Sequence, residues 1–129
     1  MAAEGLDAIL ERAVKSISEA FESYVAIFLP DGSGWVRIRE KSRQDITLSD
    51  TETAVAAWVY ANGQPAGKGT KTLSSAAWYY LPLKLQERTI GVLGLKTGAP
   101  GKFITPEQNQ LLESFASVVA LSIVKTHDI

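Results

Sequence analysis

Trp78-Tyr79-Tyr80-Leu81-Pro82-Leu83-Lys84-Leu85, then Thr89-Ile90-Gly91-Val92-Leu93-Gly94-Leu95-Lys96, then a run opening at Thr105-Pro106-Glu107-Gln108: the reading of this stretch decides the fold. The first two pieces are short and apolar, with a brief polar gap between them, so they read as the strands of a hairpin. Alternation puts Tyr79, Leu81, Leu83 and Leu85 on one face, and Trp78, Tyr80, Pro82 and Lys84 on the other. On the partner strand Ile90 and Val92 face away from Leu93 and Leu95. Both faces are apolar in the middle, so the hairpin is expected to lie centrally, with material on both sides. Gly91 and Gly94 fall on opposite faces and leave room for close approach. Pro82 removes a ladder donor, which predicts an unpaired or bulged stretch beside it. In the third piece Thr105 caps a helix and Pro106 occupies its first turn, where a missing N–H costs nothing. Its apolar positions are Leu111, Leu112, Phe115, Ala116, Val118, Val119 and Ile123. That arc is too wide for one sheet contact, so part is expected against a first helix and part against a second copy of the chain.

Upstream, Leu6, Ile9, Leu10, Ala13, Ile17, Ala20 and Phe21 recur at helical spacing, with Val14 beside them. Glu4 and Asp7 complement the dipole at the helix start. Tyr24 to Leu29 is a continuous apolar run that reads as a buried strand. Pro30-Asp31-Gly32-Ser33-Gly34 turns the chain, and Trp35 to Glu40 returns as the second strand of a hairpin. Trp35, Arg37, Arg39 and Lys41 are expected on one face, as the charged rim of a half-exposed edge strand. Ser49-Asp50-Thr51-Glu52 is a capping signature that opens a short helix from about Asp50 to Ala61, with Ala54, Val55, Trp58, Val59 and Ala61 as its apolar positions. Asn62-Gly63 ends that helix. Gln64 to Thr72 has no periodicity and reads as a surface loop.

A single domain over residues 1–129 fits the length. The chain is 46% hydrophobic and 21% charged with net charge −1, so no overall field draws it to nucleic acid. There is no cysteine, which excludes disulfides, thiol catalysis, thioether-linked chromophores and cysteine metal sites together. No run approaches the ~20 apolar residues that span a bilayer. Gly67-Lys68-Gly69-Thr70 resembles a phosphate loop only superficially, because Gly69 interrupts the Gly-Lys-Thr order and the segment follows a helix. His127 is the single histidine and lies near the chain end, so no triad with a histidine base can form. No nucleophile–base pair, metal set or cofactor site emerges.

What remains is a candidate pocket. Trp58, Trp78 and Tyr80, with the hydroxyls of Thr70, Thr72, Ser74 and Ser75, are placed to converge on the sheet face opposite the terminal helices. An apolar floor with a few polar groups suits a small molecule. The competing reading is a second hydrophobic layer with no void.

The element order, and Leu81-Pro82-Leu83 through Gly91-Val92-Leu93-Gly94-Leu95, Phe103-Ile104-Thr105-Pro106-Glu107 and Leu111-Leu112-Phe115-Ala116, resemble the GAF domain family. Ala54 to Val59, Asn62-Gly63-Gln64-Pro65-Ala66-Gly67-Lys68-Gly69-Thr70, Thr72-Leu73 and Tyr80-Leu81-Pro82-Leu83 are more narrowly similar to the GAF domains of Kdp-type potassium and turgor sensor histidine kinases. The resemblance implies an α/β (α+β) fold. Its central antiparallel sheet would have about six strands, with the terminal helices on one face and the short helix and loop over a pocket on the other. It also implies a non-catalytic cytoplasmic sensory module of a kinase whose parent chain sits in the inner membrane. Its partners would be the kinase transmitter domains of that parent, an unknown small ligand and a second copy of the chain, with no nucleic acid bound and no insertion into the membrane. Signal would pass through Leu6, Ile9, Ala13, Leu112, Phe115, Val119 and Ile123 on the terminal helices. The Asn-Lys-Phe-Asp-Glu motif of cyclic-nucleotide binders is missing, so no ligand carries over. The alternatives are a dimerisation spacer without ligand and a stand-alone small-molecule-binding domain.

Overall fold

The computed structural model describes residues 5–98 and 104–127. Glu4 and Phe103, which entered the sequence reading, lie outside the described residues. In chain order the elements are α1 (Leu6–Phe21), β1 (Ser23–Pro30), β2 (Val36–Lys41), α2 (Asp50–Asn62), β3 (Ala66–Gly67), β4 (Tyr79–Leu85), β5 (Arg88–Thr97) and α3 (Pro106–His127). The strands form one antiparallel sheet in the order β2-β1-β5-β4-β3. Among the described residues the sheet has five strands, in keeping with the about six expected. β5, the longest of these strands, occupies the middle, with both its faces covered.

One face carries α1 and α3. Leu10, Val14, Ile17 and Phe21 of α1, and Leu112, Ala116, Val119, Ala120 and Ile123 of α3, bury against Val25, Ile27, Leu81, Leu83, Leu93 and Leu95. Phe21 meets Phe115 edge to face, 6.0 Å between centroids, and so holds the C-terminal end of α1 on the middle of α3. The other face carries α2, whose Val55, Ala56 and Val59 cover Phe28, Tyr80 and Val92. Ala56 faces the sheet here, whereas the expected Ala54 and Ala61 point to solvent.

The helix ends follow their capping residues. Ser49 Oγ accepts the Glu52 N–H at 3.2 Å, and Gly63 ends α2 in the left-handed region. Thr105 Oγ1 accepts the Gln108 N–H at 3.1 Å while Gln108 Oε1 accepts the Thr105 N–H at 3.0 Å, a complete reciprocal cap for α3.

Two bulges alter the expected facing. Leu83 pairs with Gly91 but Lys84 pairs with Thr89, so Ile90 is the extra residue of β5. The bulge turns Ile90 onto the α1–α3 side, away from Val92, which it was expected to accompany. On β2, Ile38 pairs with Phe28 and Glu40 with Ile27, leaving Arg39 as the extra residue. Arg37 therefore lies on the helix side opposite Leu29. Lys41 pairs with Ala26 on the α2 side, where its ammonium donates to the Ile46 carbonyl at 3.0 Å. The four residues expected on one face are thus divided.

The Gln64–Thr72 segment is also less loop-like than its composition implies. Ala66 and Gly67 are buried and pair with Tyr80 and Tyr79. Only glycine fits at position 67: its φ is +103°, and a Cβ there would lie 2.2 Å from the Trp78 carbonyl oxygen.

Pro82 needs no bulge of its own. The Lys68 N–H donates to the Trp78 carbonyl, so residues 78, 80 and 82 direct their backbone polar groups toward β3. β3 ends opposite Tyr80, and the N–H that Pro82 lacks would have pointed at the open edge.

Candidate functional site

The residues expected to line one pocket divide into two places. Trp78 and Tyr80 are buried in the layer between α2 and the sheet, and Trp58 packs partly buried against the same layer. The Tyr80 ring meets Phe28 edge to face at 5.9 Å and lies against Gly94, where any Cβ would stand 3.1 Å from it. Gly94 thus supplies the room that its sequence position implied, and Tyr80 fills it.

At its polar end, Tyr80 donates its hydroxyl to Glu52 Oε1 at 2.6 Å, and the Ala77 N–H donates to Glu52 Oε2 at 2.7 Å. The Glu52 carboxylate therefore spans from α2 to the start of β4. Burial first, then the hydrogen bond and charge of Glu52, raise the Tyr80 pKa far above that of a free phenol. Tyr80 is a fixed donor with no capacity to act as a base near neutrality.

Thr70 and Thr72 lie elsewhere, with the Lys68–Lys71 segment. The Thr70 hydroxyl proton is shared between the carbonyls of Gly67 at 2.8 Å and Thr72 at 2.7 Å, and its oxygen accepts the Thr72 N–H at 3.1 Å. This hydroxyl folds the loop on itself. Ser74 and Ser75, also expected near the pocket, are exposed.

That loop forms one wall of a cleft of about 710 Å³. The opposite wall is the start of α3, with Ile104, Thr105, Pro106 and Asn109. The floor is the end of the sheet, with Tyr79, Leu95, Lys96 and Thr97. Lys68 and Lys71 of the loop line it, whereas Lys96, next to Leu95 on β5, also borders a smaller recess with Tyr24, Asp45 and Trp78 on the α2 side. Tyr79 donates to Asn109 Oδ1 at 2.8 Å, which ties β4 to the first turns of α3. Asn109 Nδ2 in turn donates to Glu113 at 3.2 Å. Burial, and then the Glu113 charge, push the Tyr79 phenol up to about 12.

A second cleft of about 510 Å³ opens at the other end of the sheet, between Arg37, Arg39 and Arg88 and the apolar Leu6, Ile90 and Ile123. Arg37 is held by Asp31 at 2.8 Å, and Arg39 pairs with Asp7 of α1. Neither cleft is lined by Trp58 or Tyr80.

The lysines and Asn109 were not among the expected site residues. Lys68 and Lys71 were in view within the glycine-containing loop, but Asn109 is brought beside that loop only by the placement of α3.

Of the helical residues, Leu112, Val119 and Ile123 are buried in the core, while Leu6, Ala13 and Phe115 are half-buried against it. Ile9 is half-buried on α1. The outer side of α3 leaves Leu111, Val118 and Leu121 exposed by 52, 64 and 44%.

Residues 5–124 match the family model described as GAF domain. The chain belongs to the GAF domain family. Among relatives of this GAF domain, the sensor protein KdpD of Escherichia coli K12 is 33% identical over 81% of the chain. The sensor protein KdpD of Clostridium acetobutylicum is 26% identical over 95% of it. The chain spans only 11% and 14% of the lengths of those two proteins. The crystal structure of the native GAF domain of the potassium sensor histidine kinase KdpD from Escherichia coli matches with a TM-score of 0.82 at 30% identity, covering 98% of this chain and 87% of that one. The GAF-B domain of DevS from Mycobacterium smegmatis, at 14% identity and a TM-score of 0.71, shares the fold. This GAF domain is therefore similar to the KdpD type, and among the described residues no helix is long and apolar enough to cross a membrane.

Proposed function

We propose that this GAF domain is the regulatory module of a Kdp-type sensor histidine kinase, carries no chemistry of its own, and serves a potassium or osmotic response from the cytoplasmic side of a membrane-embedded parent. Its output would be a shift of α1 and α3, read by the transmitter domains of the same parent chain. The observation that carries this reading is the course of α3. It begins at the lysine-lined cleft, is tied to β4 there by the Tyr79–Asn109 bond, packs on α1, and ends beside the second cleft. A change at the first cleft has a continuous packed route to the end of that helix. The exposed row of Leu111, Val118 and Leu121 supports association of two copies through the terminal helices.

The spacer reading retains one specific support. The layer holding Trp58, Trp78 and Tyr80 is closed by side chains and by the Glu52 carboxylate, so ligand control through that layer would require it to open.

A chimera tests the proposal. The GAF domain of the Escherichia coli relative is replaced by this chain, and kinase output is measured across potassium concentrations. Regulated output is expected. A chimera that responds no better than one carrying the DevS domain, with equal membrane levels of both, would reject the regulatory reading.

A further inference from the structure

We infer that the second cleft, at the end of the sheet where α1 begins and α3 ends, binds a small amphipathic carboxylate, with its charge on Arg88 and Arg37 and its apolar body on the floor. The floor arises from the course of two strands. β1 stops at Pro30, and the extra residue of β5 turns Ile90 onto the helix side, where Leu29 also lies. Gly91 lets Leu29 lie across β5, since a Cβ there would stand 2.8 Å from the Leu29 side chain. Leu6 of α1, with Ile123 and Val124 of α3, completes the apolar lining. Leu6, Leu29, Ile90 and Val124 remain partly exposed, so the domain itself leaves this surface half wet. A volume of about 510 Å³ falls within the ~300–1,000 Å³ of small-molecule sites.

The rim supplies the charge. Arg37 pairs with Leu29 across the β1–β2 ladder and so projects on the helix side. Arg88 pairs with Leu85, which alternates with Leu81 and Leu83 of the helix-side core, and so projects on the same side. Their strands are two sheet spacings apart, about 9.5 Å, and both residues line the cleft. Asp31 is the only carboxylate on the lining among the described residues. It takes Arg37 Nε at 2.8 Å, which fixes that side chain and leaves its two terminal nitrogens without an acceptor among those residues. Arg39 is joined to Asp7. Arg88 has no ion-pair or hydrogen-bond partner among the described residues, and its neighbour Glu87 borders a different recess, with Asn62 and Lys84. Three arginines against Asp31 and Asp7 leave one positive charge, which matches a carboxylate better than a phosphate dianion. The planar guanidinium fork also suits the two oxygens of a carboxylate. A ligand here would touch the start of α1 and the last turns of α3 together. Such an anion would be the signal class for the regulatory reading, on which only this consequence rests, since binding is measured on the chain alone.

The experiment is an NMR titration of the chain with phenylbutyrate, the neutral phenylbutanol, and acetate. The expected result is saturable shifts with phenylbutyrate at millimolar concentration or below, confined to amides of residues 6–8, 29–31, 37–39, 88–91 and 122–125. Phenylbutanol lacks the charge and acetate lacks the body, so each is expected to bind at least about fivefold more weakly. Arg88→Gln, on an exposed side chain, should weaken phenylbutyrate about fivefold at unchanged melting temperature and leave phenylbutanol as it was. Absence of saturable shifts overturns the inference. So do shifts of equal size around Lys15 and Lys71, which would mark unspecific attraction, equal affinity for phenylbutanol, and a phenylbutyrate affinity unmoved by Arg88→Gln. A positive titration combined with an unregulated chimera would leave the site standing and remove only the relay, whereas a regulated chimera with no saturable titration would remove the site alone.

Discussion

The carboxylate of Glu52 and the hydroxyl of Tyr80 meet at 2.6 Å across the space between α2 and β4. Glu52 stands at the third position of its helix, where a reciprocal cap would have used its side chain on Ser49. Instead Ser49 caps alone, and the carboxylate is committed to Tyr80 and the Ala77 N–H. Replacing Tyr80 by Phe leaves the ring packing intact and removes one charge-assisted bond, which is expected to cost about 1.5–3 kcal/mol. Thermal or urea denaturation reads this directly, and a loss below about 0.5 kcal/mol would show that the bond does not hold α2 in place.

Alkaline stability should report the tyrosines. Tyr79 is pushed up to about 12, from an ordinary value of 10.0, and Tyr80 is raised further. The folded chain holds these protons more tightly than the unfolded chain. Their stabilisation is complete below about pH 10 and fades as pH rises toward 12. Tyr79→Phe should flatten the first part of that decline, seen as a smaller slope of unfolding free energy against pH between 10 and 12.

At the acid end the group to follow is Asp31. Hydrogen bonds from Ser33, first from its hydroxyl and then from its backbone, followed by Arg37, lower its pKa from 3.8 to about 2. The stabilisation from this turn is present above pH 4 and is lost as pH falls toward 2. The turn lies at the protein surface, so the effect on global stability is small. NMR titration of the Asp31 side chain is the suitable measurement, and Arg37→Gln should move its midpoint upward.

Two glycines separate crowding from backbone strain. Gly32 and Gly67 both have positive φ, but a Cβ at 32 meets nothing within 4 Å, whereas at 67 it meets the Trp78 carbonyl at 2.2 Å. Gly32→Ala is expected to cost about 1 kcal/mol and Gly67→Ala at least about 3 kcal/mol. Similar costs for the two would mean that the β3–β4 contact can move aside.

On α3, neighbouring valines should have opposite effects. Val119 is buried and Val118 is 64% exposed. Val119→Glu buries a charge and should unfold or strongly destabilise the domain. Val118→Glu should leave the melting temperature within a degree or two and lower the fraction of dimer in sedimentation. A monomeric parent chain, or a dimer indifferent to Val118→Glu, would point to another surface.

The sequence was most legible where one local signal sufficed. The spans of α1 and α2, the Thr105–Gln108 cap and the alternation of Tyr79 to Leu83 are fixed by near neighbours, and the structure follows them. The bulges at Ile90 and Arg39 were not legible, because an inserted residue alters facing without altering composition. β3 was hidden because two residues carry no period, and the mark it does leave, Gly67, also fits a loop. The role of Glu52 was obscured by a local motif that explained it well enough. The lysine-lined cleft is assembled from the loop, the end of β5 and the first turns of α3, and no spacing links these parts. The aromatic residues expected to open a pocket fill one, since Gly94 makes space that the Tyr80 ring occupies.

The placement of Pro82 bears on how copies of this domain can meet. Beyond β3 the outer margin of β4 is uncovered, yet the proline withholds the donor that an incoming strand would need. At the far margin, the Arg39 bulge interrupts the regular spacing of β2. Neither rim of the sheet is a template for zipping to a neighbour, even when tethering keeps two copies close. Association through the helices, as proposed above, would leave the two sheets separate.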